Sequence, residues 1–388
     1  LIKAAFNGAN ALELDFLFTR VTFNVPVAGL GPLLNQWLTS VGASPWAISI
    51  VQNGVIGGAS AIISFIPQLM MLFICLGVLE TTGYMSRIAF FLDRIFHRFG
   101  LSGKSLIPFI VGAGCTVPGV MSTRTIEDDS ERKMTIALVP FVPCNAKLPI
   151  ISLISSVFFV GWGFAFALLF YVLAIVIIFI SAFVLKKFVK RPEHTTFISE
   201  LPSYKAPSAI FVMRDVSNKT IAFIKRAGTV VLFFSVVVCV LASFTWNFRY
   251  VDGVRISISE SMLARIGDAF AWFYYPMLGG HWSWAASVSS IQGLIAKEQV
   301  ISSMQVIANM SNGGMPIEIF KSAEFAFFTP LTAFAFAAFN LFSIPCIGSI
   351  SAMHAELKSW KKTGLVMLGE IVGAWLLASV IGIWGALA

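Results

Sequence analysis

The dominant pattern along the chain is the long apolar run. Runs sufficient to cross about 30 Å of hydrocarbon, roughly 20 residues each, occupy 55–79, 134–159, 164–185, 229–246, 325–350 and 364–388. Interrupted runs cover 105–124 and 285–307, which makes about eight membrane segments with the broken ones counted. Three stretches read differently. Residues 16–38 are apolar but carry Arg20, Asn24 and Pro26, the mark of a re-entrant or incomplete span. Residues 83–99 set Arg87, Asp93, Arg94 and Arg98 among aromatics, as an interfacial helix does. In 210–226, Met213, Val216, Thr220, Phe223 and Ile224 recur at helical spacing with Arg214, Lys219, Lys225 and Arg226 between them, which predicts an amphipathic helix lying on the membrane.

That last helix comes after a polar stretch, 185–207, and separates two halves. Each half holds a Pro-Cys pair inside a membrane run, Pro143-Cys144 and Pro345-Cys346. Each also holds an ionisable residue at membrane depth, Glu80 in the first and Lys297-Glu298 in the second. Weak internal similarity of this kind is what an inverted repeat leaves in a sequence. The expected fold is therefore all-α, a polytopic transmembrane protein of two inverted repeats with broken helices. The expected divisions are an N-terminal segment with a truncated first span (1–52), a first repeat (53–186), a linker with the interfacial helix (187–227), and a second repeat with the C-terminal helix (228–388).

Composition agrees: of 388 residues 57 % are hydrophobic and 12 % charged, and the mean hydropathy is +0.84, outside the range of ordinary soluble domains. The net charge of +8 is not a nucleic-acid signature, because the basic residues gather beside membrane segments. Arg87, Arg94, Arg98 and Lys104 form one group, Lys186, Lys187, Lys190 and Arg191 a second, and Lys358, Lys361 and Lys362 a third. These mark cytoplasmic loops. All five cysteines lie in apolar segments, which excludes a secreted disulfide framework. The chain begins with Leu1 and shows no signal peptide, so it reads as a fragment of a longer protein.

Two motifs compete in residues 100–119. Gly103-Lys104-Ser105 looks like the end of a phosphate-binding loop, but the further glycine that such a loop needs is replaced by Arg98, and a membrane run comes next. Lys104 is better read as a flank residue snorkelling from a helix end. Beyond it, Gly112, Gly114, Pro118 and Gly119 surround Cys115. Broken backbone is tolerated at membrane depth only where it is buried in protein or lines a cavity, so this break marks a candidate cation site. Cys115, Cys144 and Cys346 are each flanked by Pro or Gly. Soft thiol ligands favour a transition metal over a hard cation, although buried packing is the alternative for each. Cys75 and Cys239, in unbroken runs, are expected to pack. A charged side chain at bilayer centre costs about 2.5–3.5 kcal/mol on insertion scales. Lys297 and Glu298 must therefore find separate partners, with Glu298 facing the cation path and Lys297 paired to a carboxylate elsewhere. The other possibility is that both sit at a re-entrant helix end near water. Glu80 divides the same way. His97, His194, His281 and His354 show no zinc-like spacing.

The blocks Gly77 to Arg87, "GLSGKSLIPFIVGAGCTVPGVMSTRTIEDDSERKMTIALVPFVPCNAKLP", "ELPSYKAPS", "IKRAGTVVL", "GLIAKEQV" and "FSIPCIGSI", in that order, resemble the membrane domain of the ferrous iron transport protein B family, FeoB, from about residue 53 onward. The resemblance implies a prokaryotic inner-membrane, multi-pass transporter of Fe²⁺ with two gate-type repeats. Its path would carry Cys115, Cys144, Cys346, Glu298 and Glu80, supported by Gly114, Pro118, Pro143, Asn145, Lys297 and Met85. It further implies no permanently bound cofactor, Fe²⁺ as substrate, and a regulatory GTP-binding domain not contained in this chain, so that the chain is not an enzyme and GTP is not expected on it. Candidate partners are the lipid bilayer, a separate GTP-binding domain, small cytoplasmic Feo accessory proteins and a second copy of the chain, with no nucleic acid. Two departures stand out: Asn145-Ala146-Lys147 replaces the Gly-Ala-Arg usual after that cysteine, and Pro143 replaces a small polar residue. Residues 16–27 resemble only the end of the family's first helix. A gate-domain carrier for a nucleoside or other small solute, and a membrane anchor for a separate GTPase, are the competing functions.

Overall fold

The computed structural model describes residues 12–16, 19–23, 40, 42, 44–99, 101–159, 161–188, 208–247, 249–250, 260–308, 316–322 and 324–387. The chain divides into two compact units, Leu1–Phe73 with Ser217–Ile266, and Ile74–Val216 with Gly267–Ala388. Among the described residues the fold is helical apart from one hairpin and two isolated β-bridges.

In the first unit, strands β1 (Leu12–Phe16) and β2 (Thr19–Phe23) pair antiparallel with Leu14 opposite Val21. The strict alternation in Leu12-Glu13-Leu14-Asp15-Phe16 is a strand pattern. The start of the stretch expected to be a re-entrant span, or the end of a first helix, is therefore strand; residues 24–38 lie outside the described ones. A short helix α1 (Pro45–Ser49) runs through a wide π-helical turn, Ile50–Ile56, into α2 (Gly57–Thr81). Gly54 and Gly58, four apart, let this segment approach the apolar helix at Thr229–Ser243: a Cβ on Gly58 would sit 2.9 Å from Ser235 Oγ. This is the small-xxx-small contact of membrane helices.

The second unit contains the same succession twice: a hairpin of two short helices, a broken span, and a long apolar helix. The first set comes after α3 (Tyr84–Phe99). It comprises α4 (Leu106–Gly114) and α5 (Thr116–Ser122), then α6 (Asp129–Leu138) and α7 (Leu148–Phe158), then α8 (Gly163–Phe188). Between the sets the chain forms α9 (Ala209–Phe223), α10 (Thr229–Ser243) and α11 (Met262–Tyr274), of which α10 belongs wholly to the first unit. The second set comprises α12 (Trp284–Gln292) and α13 (Gln299–Ile307), a short α14 (Pro316–Lys321), then α15 (Pro330–Phe342) and α16 (Ile347–Leu357), then α17 (Trp360–Leu387). By this order the counterpart of Lys297-Glu298 is Cys115, at the tip of the other hairpin, and not Glu80 at the end of α2.

Four stretches among the described residues are long and apolar enough to cross a membrane: Asp129–Phe158, Gly163–Lys187, Pro330–Leu357 and Trp360–Gly385. This is a membrane protein. Of the eight segments expected, 229–246 yields the shorter α10, and 105–124 and 285–307 fold as hairpins. The two broken spans are mostly buried, whereas α8 and α17 turn Phe164, Ile180 and Phe183, and Leu365, Val380 and Trp384, outward. Side chains of that size stay exposed at low cost only against lipid. Cys75 is likewise exposed on α2 and does not pack as expected, because an all-round apolar helix has no need to turn a thiol inward. On α9 the buried stripe is Val212, Val216 and Thr220, with Met213 outward; this shifts the expected apolar face by one residue.

The hairpins depend on glycine for close crossing rather than for unwinding. The helix break at Cys115 is a single extended residue, φ −152° and ψ 130°, while Gly112 and Gly119 remain helical where α4 and α5 cross. A Cβ on Gly119 would lie 2.7 Å from Gly112 Cα, and one on Gly293 2.5 Å from Val300 Cγ2 in the second hairpin. Overpacking of this kind costs about 1–3 kcal/mol. Gly119→Ala should therefore lower the melting temperature in detergent. Gly373→Ala, with nothing within 4 Å, should leave it unchanged or raise it, since alanine is the better helix former by about 1 kcal/mol. Equal behaviour of the two variants in a thermal-shift assay would contradict the crossing.

Candidate functional site at four half-helix N-termini

Each break ends with a side chain of acidic or thiol character at the N-cap of the next half-helix. Cys115 caps α5, Cys144 caps the 3₁₀ turn Asn145–Lys147 that leads into α7, Glu298 caps α13, and Cys346 caps α16. The first turn of a helix leaves N–H groups without intrahelical partners and carries a partial positive charge. Both effects stabilise a thiolate or carboxylate there. None of the four cap side chains accepts a hydrogen bond from the turn that it opens, and Cys346 Sγ lies 3.3 Å from Ser349 Oγ. Pro118 is third in α5, a position whose N–H would have had no helical partner.

The four caps belong to one neighbourhood: Cys115 is within electrostatic reach of Cys144, Cys346 and Glu298. Cys144 is buried, Cys115 and Cys346 are half-buried, and Glu298 is half-buried. Helices of opposite repeats interlock to bring them together, α5 packing along α16, and α7 against α13 and α15. Among the described residues, no three His, Cys, Asp or Glu side chains close on one point tightly enough to cage an ion.

Of the supporting residues, Pro118, Pro143 and Met85 are buried, and Gly114 and Asn145 half-buried. Lys297 is buried at the junction between α12 and α13. The side chain of Glu80 lies outside the described ones, as do those of His97 and His194. His281 stacks on Phe327 and His354 on Trp360, which leaves these two histidines in packing roles.

Two charged residues do not stand out as site residues in the sequence. Lys147 is 1 % exposed, and its Nζ donates to the carbonyls of Pro140 at 2.8 Å and Val142 at 3.4 Å. Glu370, in mid-α17, is 2 % exposed. Lys147 and Lys297 are both within electrostatic reach of Cys144, Cys346 and Glu370. A lone carboxylate in an apolar run was the available signal.

The Gly-Lys-Ser loop has another use. Ser102 N–H, Ser102 Oγ and Ser105 Oγ all donate to Glu131 Oε1, at 2.7, 2.6 and 2.7 Å, and Gly103 N–H donates to Asp93 Oδ1 at 2.6 Å. Lys104 pairs with Glu127 at 3.0 Å. Donors already given to carboxylates cannot cradle phosphate, so this loop is a joint between α3 and α6.

The far ends of α5 and α16 are joined by Arg124, which donates to Glu356 Oε1 from Nε at 2.8 Å and Nη2 at 2.6 Å. The bonded carboxylate holds the guanidinium above its ordinary pKa.

A family model described as "Nucleoside recognition" (Gate) matches residues 62–158 and 224–360. A second, "Ferrous iron transport protein B C terminus", matches residues 167–219. The chain is 36 % identical over 342 residues to the Fe(2+) transporter FeoB of Staphylococcus aureus, covering 88 % of this chain and 49 % of that protein. It is 33 % identical over 357 residues to the protein of the same name from Methanocaldococcus jannaschii (91 % and 52 %), and 31 % over 339 residues to that of Helicobacter pylori (79 % and 52 %). It thus spans about half the length of these relatives. No solved structure matches it.

Because Glu356 is only 7 % exposed, Arg124→Ala would strand a buried carboxylate. The expected loss is about 2 kcal/mol, in the range for charged hydrogen bonds and below that of a fully buried pair because Arg124 is half-exposed. Glu356→Gln should cost less. A chemical-denaturation series in which Arg124→Ala unfolds like wild type would show that the clasp is ornamental.

Proposed function

We propose that this chain, which belongs to the Gate and ferrous iron transport protein B families, forms the path by which Fe²⁺ crosses a prokaryotic inner membrane. The observation that carries the reading is the convergence of Cys115, Cys144, Cys346 and Glu298 at four half-helix N-termini. A divalent ion that sheds water needs electron-rich ligands, and the partial positive charge of a helix N-terminus favours the anionic form of a thiol or carboxyl that binds it. Thiolates beside a carboxylate suit a borderline transition metal and not Mg²⁺ or Ca²⁺. Four ligands that approach without closing on one point fit an ion passed between successive partial sites, because conduction requires binding weak enough to leave. On this reading nothing is chemically converted, Fe²⁺ is the substrate, and a GTP-binding domain, small accessory proteins or a second copy act as partners from outside the path.

The Gate family's description, nucleoside recognition, supports a second reading, transport of a nucleoside. It would call for amide groups at the breaks. Asn145, Gln292 and Gln299 do stand at the breaks, but Gln292 Oε1 already accepts from Ser303 Oγ, the buried Asn340 donates to its own helix at Phe336 O, and three of the four caps are thiols.

Anaerobic uptake into proteoliposomes distinguishes the two. Fe²⁺ should accumulate, and labelled uridine should not. Cys115→Ser and Glu298→Gln should each cut the initial rate by roughly tenfold or more, which is what losing even an outer hydrogen-bond partner costs at many metal sites. Cys239→Ser, on α10, should transport like wild type. Fe²⁺ should also slow labelling of Cys115 by a small thiol reagent. Wild-type uptake by Cys115→Ser, with unprotected labelling, would remove the thiol from the path.

A further inference from the structure

The hairpin of α4 and α5 is held unequally at its two feet. Below α4, Ser102 and Ser105 donate to Glu131, and Gly103 donates to Asp93. Below α5, the hydroxyls of Ser122, Thr123 and Thr125 turn back to carbonyls of their own helix end. Among the described residues, the one side-chain hydrogen bond or ion pair that ties 116–126 to another element is that of Arg124 with Glu356. On α16, Ser349, Met353 and Glu356 follow one another at four and three residues and so share a face. All three are buried, and Cys346 Sγ joins the stripe at Ser349 Oγ, 3.3 Å away. The two helices pack along each other, and the bond between their far ends turns the Glu356 end of the stripe toward α5. Arg124 lies nine residues beyond Cys115, and Glu356 ten beyond Cys346. Along a helix that is about 15 Å, half of the hydrocarbon thickness of about 30 Å. Lys358, Lys361 and Lys362, exposed just past Glu356, form one of the basic groups that mark a cytoplasmic surface.

We propose that the seam between α5 and α16 is the inner leg of the cation path, running from Cys346 along Ser349 and Met353 to Glu356, and that the Arg124 guanidinium is its closure on the cytoplasmic side. This leg deepens the reading of the chain as a cation path and rests on it. Hydroxyl, thioether and carboxylate offer a passing ion one donor at each turn of α16 and cage it nowhere, as conduction requires. While bonded, the guanidinium repels an approaching dication and keeps Glu356 compensated. The side chain of Arg124 is 54 % exposed, so its head can leave for water while its stem stays on the protein. The carboxylate so uncovered draws the ion toward the surface.

Access to Cys346 tests the closure on the full chain in oriented vesicles. A positively charged, membrane-impermeant thiol reagent is applied to one face at a time, and modification of Cys346 is read by peptide mass spectrometry. Glu356→Gln should speed modification from the face that bears Lys358 roughly fivefold or more, the scale of a charged hydrogen bond half open to water. The rate from the other face should not change. Arg124→Gln should act likewise, and the double variant should be no faster than the faster single one, because both changes remove the same interaction. A clasp with a structural role alone would loosen both faces or neither. An unchanged rate in Glu356→Gln, or equal acceleration from both faces, overturns the proposal. Should Arg124→Gln fail to fold, Glu356→Gln decides alone, since it strands no buried charge. Labelling reads water access and not ion flux. Normal uptake by Cys115→Ser would therefore sink the thiol ligands and leave the closure measurable, while a silent Glu356→Gln would remove the closure and leave the thiol ligands standing.

Discussion

A helix interrupted where there is no water leaves backbone N–H groups that must be given partners. The arrangement of the second unit stems from that constraint. Each of its four breaks delivers a fresh helix start, and each start is occupied by a residue able to carry negative charge. The places where the backbone is left open and the groups that would attract a cation thus coincide. Cys115 shows how little chain this takes: one extended residue ends α4, opens α5 and places a sulfur at the positive end of the new helix.

The second constraint is steric. A tip with a single-residue break must fold its two helices tightly against each other, and Gly112 with Gly119, or Gly293 beneath Val300, supplies the room. The clasp of Arg124 on Glu356 joins the far ends of α5 and α16, the helices whose starts carry Cys115 and Cys346.

Much of this is legible in the residues. Pro-Cys pairs and a glycine-flanked cysteine inside apolar runs announce breaks, and helix breaks at membrane depth announce sites. Other features are not legible, for identifiable reasons. The glycines around Cys115 read as unwinding elements because composition does not distinguish a glycine that bends from one that lets a neighbour approach. Pairing Glu80 with Glu298 relies on charge alone, whereas the repeat is defined by element order, which places Cys115 opposite Glu298. Lys147 shows only as a departure from a familiar block, since its role depends on carbonyls five and seven residues earlier that the fold turns back toward it. The alternation in Leu12–Phe16 is visible, but the long apolar character of residues 16–38 outweighs it.

The division of labour between buried broken spans and outward-facing α8 and α17 bears on how the chain enters the bilayer during synthesis. A segment leaves the translocon readily when its own apolar surface suffices, as it does for α8 and α17. The spans holding Cys144 and Cys346 carry prolines, a lysine and interrupted ladders, and present their polar interior until neighbours cover it. Each of these spans immediately precedes, in the chain, one of the two most lipid-compatible helices. The ribosome thus supplies each difficult segment with its anchor next, so that the order of the elements along the chain also serves as a schedule for insertion.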